Sequence, residues 1–185
     1  VTIVAMPNTK PVIDTAAVIA LVQAGLNTGL IRAEGDTPVI RLDTPAGRVT
    51  ATAHRANGWV THVSFRNVPC YVVTLGQKVD VDGIGSIHYD IAFGGAYYAV
   101  VPIADTGLSI TPGNFQALID AGTRIKAAVN ASHSFSHPFE PDMGFIYGVI
   151  FVGPPESPGH HSRNVCIFAD GEVDRSPTGT GVSAR

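Results

Sequence analysis

"GRVTATAHRANGWVTHVSFRN", residues 47–67, is the stretch on which the fold turns. Short alternating runs lie on both sides of Asn57-Gly58, and that dipeptide is the strongest local signal for a two-residue β-hairpin. Runs of the same kind surround it: "PVIRLDTPAG" (38–47), "CYVVTL" (70–75), "SIHYDIAFGG" (86–95) and "YYAVVPI" (97–103), with Asp-Gly and Gly-Gly steps breaking them. Hairpins therefore dominate the middle of the chain.

Upstream, "DTAAVIALVQAGLNTGL" (14–30) predicts a helix with Asp14 or Thr15 as N-cap and Gly25 or Gly29 near its end. It is apolar on most sides, so burial is expected. Downstream, "TPGNFQALIDAGTRIKAAVNAS" (111–132) places Phe115, Leu118, Ile119, Ile125 and Val129 near i, i+3, i+4 spacing. Thr111 is positioned to cap this amphipathic helix and Pro112 fits its first helical position. Strands return in "GFIYGVIFVG" (144–153) and "NVCIFAD" (164–170), and "DRSPTGTGVSAR" (174–185) turns into a final helix. Helices and hairpins in this order predict an α+β fold, a mainly antiparallel sheet wrapped around a central helix. The short polar stretch "IRAEGDT" (31–37) is the expected seam.

Composition narrows the function. The chain has 185 residues, 45% of them hydrophobic and 15% charged, and a mean hydropathy of +0.21, so it can bury a core. Its formal charge of −3 carries no basic patch, which argues against nucleic acid and anionic membranes and leaves a small molecule as the expected partner. Cys70 and Cys166 stand singly in apolar runs, where both are expected as core thiols of a reduced compartment. No run approaches the roughly 20 apolar residues of a membrane span. With no charged leader and cleavage site at the start, a cytoplasmic location is expected.

The last twelve residues have the grammar of an anion site. Thr178 can cap the coming helix, Gly179 and Gly181 permit close backbone approach, and the first N–H groups are free. "TGTG" lacks the lysine of a phosphate loop, so nucleotide binding is not expected. His133 and His137 in "ASHSFSHPFEPD" have a zinc-compatible spacing, but they follow the helix and lack a third ligand, so no metal is expected. His160 and His161 read as a solvated loop, and His54, His62 and His88 fall singly in strands. Gly94-Gly95 marks a bulge or close backbone packing. Of Tyr97 and Tyr98, one faces the site and the other the core.

The segments "RLDTPAGRVTA", "VSFRNVPCYV", "DIAFGGAYYAVV" and "NVCIFADGEVDRSPTGTGVSAR" resemble the proline racemase family, which includes 4-hydroxyproline epimerases and trans-3-hydroxy-L-proline dehydratases. The resemblance runs over about residues 17–185. It implies a diaminopimelate epimerase-like fold whose two halves close over a pyrrolidine-2-carboxylate, each supplying one catalytic residue, with no metal and no organic cofactor. It also implies that one half is largely truncated here: residues 1–35 would be the remnant of the first half-domain with its buried helix, and 36–185 the second, ending at the site turn. A chain lacking part of its partner half is expected to leave apolar surface beside the first helix and to form a homodimer.

The same resemblance assigns roles. Asp174 would contact the pyrrolidine nitrogen, and the backbone N–H groups of Gly179 and Thr180 would hold the carboxylate. Thr178 stands where racemases and epimerases have their second catalytic cysteine, and threonine there marks the dehydratases. A hydroxyl is a far weaker acid than a thiol, whose reference pKa is about 8.5, so it cannot serve as the second base of a racemase. Counting back from "AVIAL", the family's Met-Cys-Gly-His falls on Ile13-Asp14-Thr15-Ala16. Asp14 then replaces the first catalytic cysteine and Ala16 the histidine. An ionised Asp14 at a helix N-terminus is a weakened base, and its plainer role is an N-cap. The expected function is dehydration of trans-3-hydroxy-L-proline, impaired by Asp14 and Ala16. Two alternatives stand beside it: a proline racemase or 4-hydroxyproline epimerase, and a non-catalytic remnant that binds pyrrolidine carboxylates or only folds.

Overall fold

The computed structural model describes residues 2–4 and 15–185, and the chain divides into two compact units, Val1–Pro69 and Cys70–Arg185. The division falls beyond the polar stretch 31–37 because the strands that follow it pair with one another and pack on the first helix.

The first unit contains β1 (Thr2–Val4), α1 (Thr15–Asn27), β2 (Val39–Thr44), β3 (Gly47–Ala56) and β4 (Trp59–Arg66), with the sheet in the order β1-β2-β3-β4. β1 runs parallel to β2, and the other two pairings are antiparallel. Asn57 and Gly58 have φ of 52° and 82°, the two positive values that a type I′ turn demands, so the quoted hairpin forms where its sequence places it. Alternation buries Val49, Ala51 and Ala53 of β3 on one face, with Ile40 and Leu42 of β2 beside them. α1 packs on β3 and β4. It is anchored to β4 at both groups of one residue: Gln23 donates to the Val60 carbonyl (3.3 Å), and Val60 N–H donates to Asn27 Oδ1 (2.9 Å).

α1 is not buried on most sides. Val18, Val22 and Leu26 form its buried stripe at a spacing of one helical turn, whereas Ala17, Ala20, Leu21 and Ala24 are exposed. Its alanines make every face weakly apolar, and only the larger side chains record which face meets the sheet.

The second unit holds β5 (Tyr71–Val81), β6 (Gly85–Phe93), β7 (Tyr97–Pro102), α2 (Phe115–Ser132), β8 (Ile146–Gly153), β9 (Arg163–Phe168), β10 (Glu172–Val173) and α3 (Gly179–Ala184). Its sheet runs β10-β9-β8-β7-β6-β5, antiparallel throughout except between β7 and β8, which lie parallel. α2 is the crossover that joins them, as a parallel pair requires. The architecture is thus α+β with mostly antiparallel sheets, each unit having its own principal helix.

α2 buries Leu118, Ala121, Gly122, Ile125 and Val129 against the sheet, while Phe115 is exposed. A Cβ on Gly122 would lie 2.7 Å from Ile167 Cβ, so glycine lets the helix approach β9. Pro112 opens a single 3₁₀ turn ahead of α2, and Thr111 makes no side-chain cap bond. Of the two thiols expected in the core, only Cys166 is buried. Cys70 is exposed because it lies in the link before β5, outside the alternation that buries strand residues. Among the described residues, no helix is long and apolar enough to cross a membrane.

Candidate functional site

β10 ends at Val173, but one more ladder bond continues it: Asp174 N–H donates to the Cys166 carbonyl at 3.0 Å. This pins Asp174 to β9. The chain then reverses through residues 175–178 into α3. Asp174 Oδ1 accepts two hydrogen bonds from Ser176, one from its N–H (2.8 Å) and one from its hydroxyl (2.7 Å). A short side chain that bonds the backbone two residues on is an Asx turn, the local reason for the reversal.

Thr178 heads α3 with φ 44° and ψ 72°, a left-handed conformation that β-branched residues seldom adopt. Such strain persists only where the surroundings hold it, and it concentrates at functional sites. Here a tight nest holds it. Thr178 is buried, and a Cβ on Gly181 would stand 2.7 Å from Thr178 Cγ2 and 2.8 Å from Ile150 Cδ1. The hydroxyl makes no side-chain cap bond to α3, and it acts on the Cys166 thiol, whose pKa it lowers against the effect of burial. The first bond back into the helix is from Val182 N–H to the Thr178 carbonyl (2.7 Å), so among the described residues the N–H groups of Gly179, Thr180 and Gly181 have no acceptor within the helix.

α3 is fixed from below by β6 and β7. Thr180 Oγ1 and the Tyr98 hydroxyl share a buried hydrogen bond of 2.6 Å. Burial pushes the Tyr98 phenol upward, against the pull of that bond. A Cβ on Gly94 would lie 2.2 Å from the Thr180 carbonyl oxygen and 2.5 Å from Ala184 N, so backbone meets backbone at this glycine. Tyr97 is buried among other rings, tilted against Phe93 and edge-on to Phe135, and bonds Tyr71 through the two hydroxyls at 2.6 Å. Of the tyrosine pair, Tyr98 is therefore the one that reaches the site turn.

The sequence-predicted residues of the second unit thus converge: Asp174, Thr178, Gly179 and Thr180 lie on one strand end, one turn and one helical turn. Asp14 lies outside the described residues, and Ala16 falls in the first turn of α1. Two participants were not singled out from sequence. Ser176 was detectable in principle from the Asp-x-Ser spacing of an Asx turn. The contact between Cys166 and Thr178 had no local signal, because it joins β9 to the turn.

Cys166 is the thiol beside Thr178, and its chemistry is muted. Burial pushes it from its ordinary 9.0 up to about 12; the Asp174 charge adds to this and the Thr178 hydrogen bond works against it. At neutral pH it is a protonated thiol, not a nucleophile or a base. The turn can therefore bind and orient: a carboxylate on the N–H groups of α3, a cation at Asp174, and a hydroxyl that can donate or accept at Thr178.

His133 and His137 have different partners. His137 Nδ1 accepts N–H bonds from Glu140 (3.1 Å) and Phe139 (3.4 Å), and His133 lies against the edge of Tyr89. Among the described residues, no group of three or more His, Cys, Asp or Glu could hold an ion. A cavity of about 230 Å³ sits beside the start of α2, walled by Ile110, Pro112, Phe115, Leu118, Arg163 and Val173. It contains none of the turn's functional groups.

Comparisons with known proteins identify the family and the fold. A family model described as proline racemase matches residues 2–185. A trans-3-hydroxy-L-proline dehydratase of Colwellia psychrerythraea is 46% identical over 169 residues, covering 91% of this chain and 48% of that protein. A 4-hydroxyproline 2-epimerase of Streptosporangium roseum is 39% identical over 160 residues, covering 86% and 48%. Among solved structures, a hydroxyproline epimerase from Agrobacterium vitis with bound trans-4-hydroxy-L-proline superposes with a TM-score of 0.81 at 35% identity, covering 90% of this chain and 48% of that one. The chain spans about half the length of these relatives.

Proposed function

The chain belongs to the proline racemase family, and from that premise we propose that it serves the dehydration of trans-3-hydroxy-L-proline. The substrate carboxylate sits on the N–H groups of Gly179 and Thr180, and its ring ammonium faces Asp174. A base removes the α-proton; the C3–O bond breaks as C2=C3 forms, and the hydroxyl leaves with a proton as water. The N–H groups that hold the carboxylate stabilise the charge that develops on it when the α-proton departs.

The observation that carries this reading is Thr178. It occupies a strained position at the head of α3, next to Asp174, where a thiol would be needed for deprotonation from the second face. Its hydroxyl can hydrogen-bond the departing group but cannot act as a base near neutral pH. Cys166 does not replace that thiol, because it is buried and held protonated. The base on the α-proton is not among the groups of the turn, and the family resemblance assigns that role to Asp14. As an ionised carboxylate it is weak, and turnover is slow. The reading carries with it chemistry without metal or organic cofactor, a cytoplasmic setting and a homodimer.

The test is proton NMR of the protein with trans-3-hydroxy-L-proline or trans-4-hydroxy-L-proline in deuterium oxide. The 3-hydroxy substrate is expected to lose its Cα proton and its hydroxyl together, slowly, while the 4-hydroxy isomer keeps its configuration. Epimerisation of the 4-hydroxy isomer would overturn the proposal in favour of an epimerase. Inertness of both, even with amide shifts at Gly179 to Gly181 on ligand addition, would leave a binding remnant.

A further inference from the structure

We propose that Ser176 is a positioning residue of this site, which ties the Asp174 carboxylate to the Thr178 turn and so sets the distance between the ammonium contact and the carboxylate cradle. The proposal rests on the dehydratase reading only through its ligand, a ring nitrogen beside a carboxylate.

Three bonds meet at Ser176. Its N–H and its hydroxyl both donate to Asp174 Oδ1, at 2.8 and 2.7 Å, and Thr178 N–H lies 3.3 Å from its Oγ. A hydroxyl carries one hydrogen and two lone pairs, and an ionised carboxylate can only accept. The direction of the relay is therefore fixed: Thr178 N–H donates to Ser176 Oγ, and Ser176 Oγ–H donates to Asp174 Oδ1. Two hydrogens occupy Oδ1. Among the described residues Oδ2 takes none, and it is the oxygen left to meet a cation.

The backbone supports the relay. Pro177 disfavours the helical region for the residue before it, which narrows the conformations Ser176 can adopt. Pro177 also brings no N–H of its own to compete for Oγ. The next residue is the strained Thr178, whose N–H would lose its only acceptor in the turn if the serine oxygen were removed. Ser176 itself is exposed, so its replacement removes bonds without opening a cavity.

The test uses two ligands of one shape. Pyrrole-2-carboxylate presents a ring N–H to Asp174, and furan-2-carboxylate presents a ring oxygen, while both offer the same carboxylate to α3. Dissociation constants are measured by titration calorimetry for the unmodified protein, Asp174→Ala, Ser176→Ala and Ser176→Thr. The unmodified protein is expected to prefer the pyrrole, and Asp174→Ala to lose that preference. Ser176→Ala is expected to lose about tenfold of the preference with the furan affinity nearly unchanged, the loss of roughly one hydrogen bond to a charged group. Ser176→Thr, which keeps the hydroxyl, is expected to restore it.

Equal weakening of both ligands in Ser176→Ala would show a merely structural role and overturn the proposal, as would an unchanged preference. Both outcomes leave the dehydratase reading standing, provided Asp174→Ala abolishes the preference. If the unmodified protein binds neither ligand, the functional reading falls and the positioning role falls with it.

Discussion

Tyr98 and Thr180 lie 82 residues apart in the chain and meet through a buried hydroxyl–hydroxyl bond of 2.6 Å. This one bond connects the centre of the six-stranded sheet to the first turn of α3. Tyr98→Phe leaves the Thr180 hydroxyl buried without a partner, a loss expected to cost about 1–3 kcal/mol. Thr180→Val should cost a similar amount, and the double variant less than the sum of the two. Chemical denaturation of all four proteins measures the coupling; additive losses would mean that the bond contributes nothing.

At Gly94 the expected damage is steric. A Cβ would stand 2.2 Å from the Thr180 carbonyl and 2.5 Å from Ala184 N, and backbone on both sides has no rotamer with which to yield. Gly94→Ala is expected to destabilise by about 1–3 kcal/mol, as overpacking does, and to shift the amide resonances of Gly179 to Gly181. Spectra identical to those of the unmodified protein would show that α3 does not depend on this contact.

Cys70 and Cys166 should part company towards alkylation. In the native protein at pH 8, iodoacetamide is expected to add to exposed Cys70 alone, giving one adduct by mass spectrometry, and two after denaturation. Two adducts on the native protein would show that the turn opens readily.

The buried thiol also predicts an alkaline limb of stability. Cys166 is raised from 9.0 to about 12 in the folded chain, so above pH 9 the unfolded state releases a proton that the folded state keeps. Its contribution is whole below pH 9 and is lost as pH rises towards 12. The slope is at most about 1.4 kcal/mol per pH unit for one proton. Tyr98 adds to the limb at higher pH, so the comparison that isolates the thiol is Cys166→Ala, which should flatten the curve between pH 9 and 10. An unchanged curve would place the alkaline loss elsewhere.

Thr178 sets the expectation for proline itself. The unmodified protein should not interconvert L- and D-proline, and Thr178→Cys alone should not suffice if Asp14 and Ala16 fill the family's Cys and His positions, as the proposed mapping has it. Solvent deuterium at Cα with inversion, followed by NMR in deuterium oxide, would contradict the assignment of Thr178.

Much of the fold is legible in the sequence. Asn57-Gly58 signals its turn because only two positive φ values connect those strands, and α2 declares itself by Leu118, Ile125 and Val129 at helical spacing. Asp174, Thr178, Gly179 and Thr180 are recognisable as a group because they lie within one short stretch of the chain. What stayed hidden depends on partners far away in sequence. The orientation of α1 is set by which side meets β3 and β4, and its alanine-rich surface records that poorly. The parallel pairing of β7 with β8 follows from the path of α2, and apolar runs do not distinguish parallel from antiparallel neighbours. That the Thr178 hydroxyl does not cap α3, and lies where it acts on the Cys166 thiol of β9, depends on a residue far from it in sequence.

The parallel pair β7–β8 has a consequence in time. β5, β6 and β7 are joined by short turns, so their ladders close early, whereas β8 can find β7 only after the whole of α2 has been laid across the sheet. Pairings that close long loops form slowly. β9 needs β8, Asp174 needs the Cys166 carbonyl on β9, and the Thr178 turn needs Asp174. The turn thus sits at the end of a chain of dependencies, and the part proposed to meet the substrate is expected to acquire its native order last in this unit.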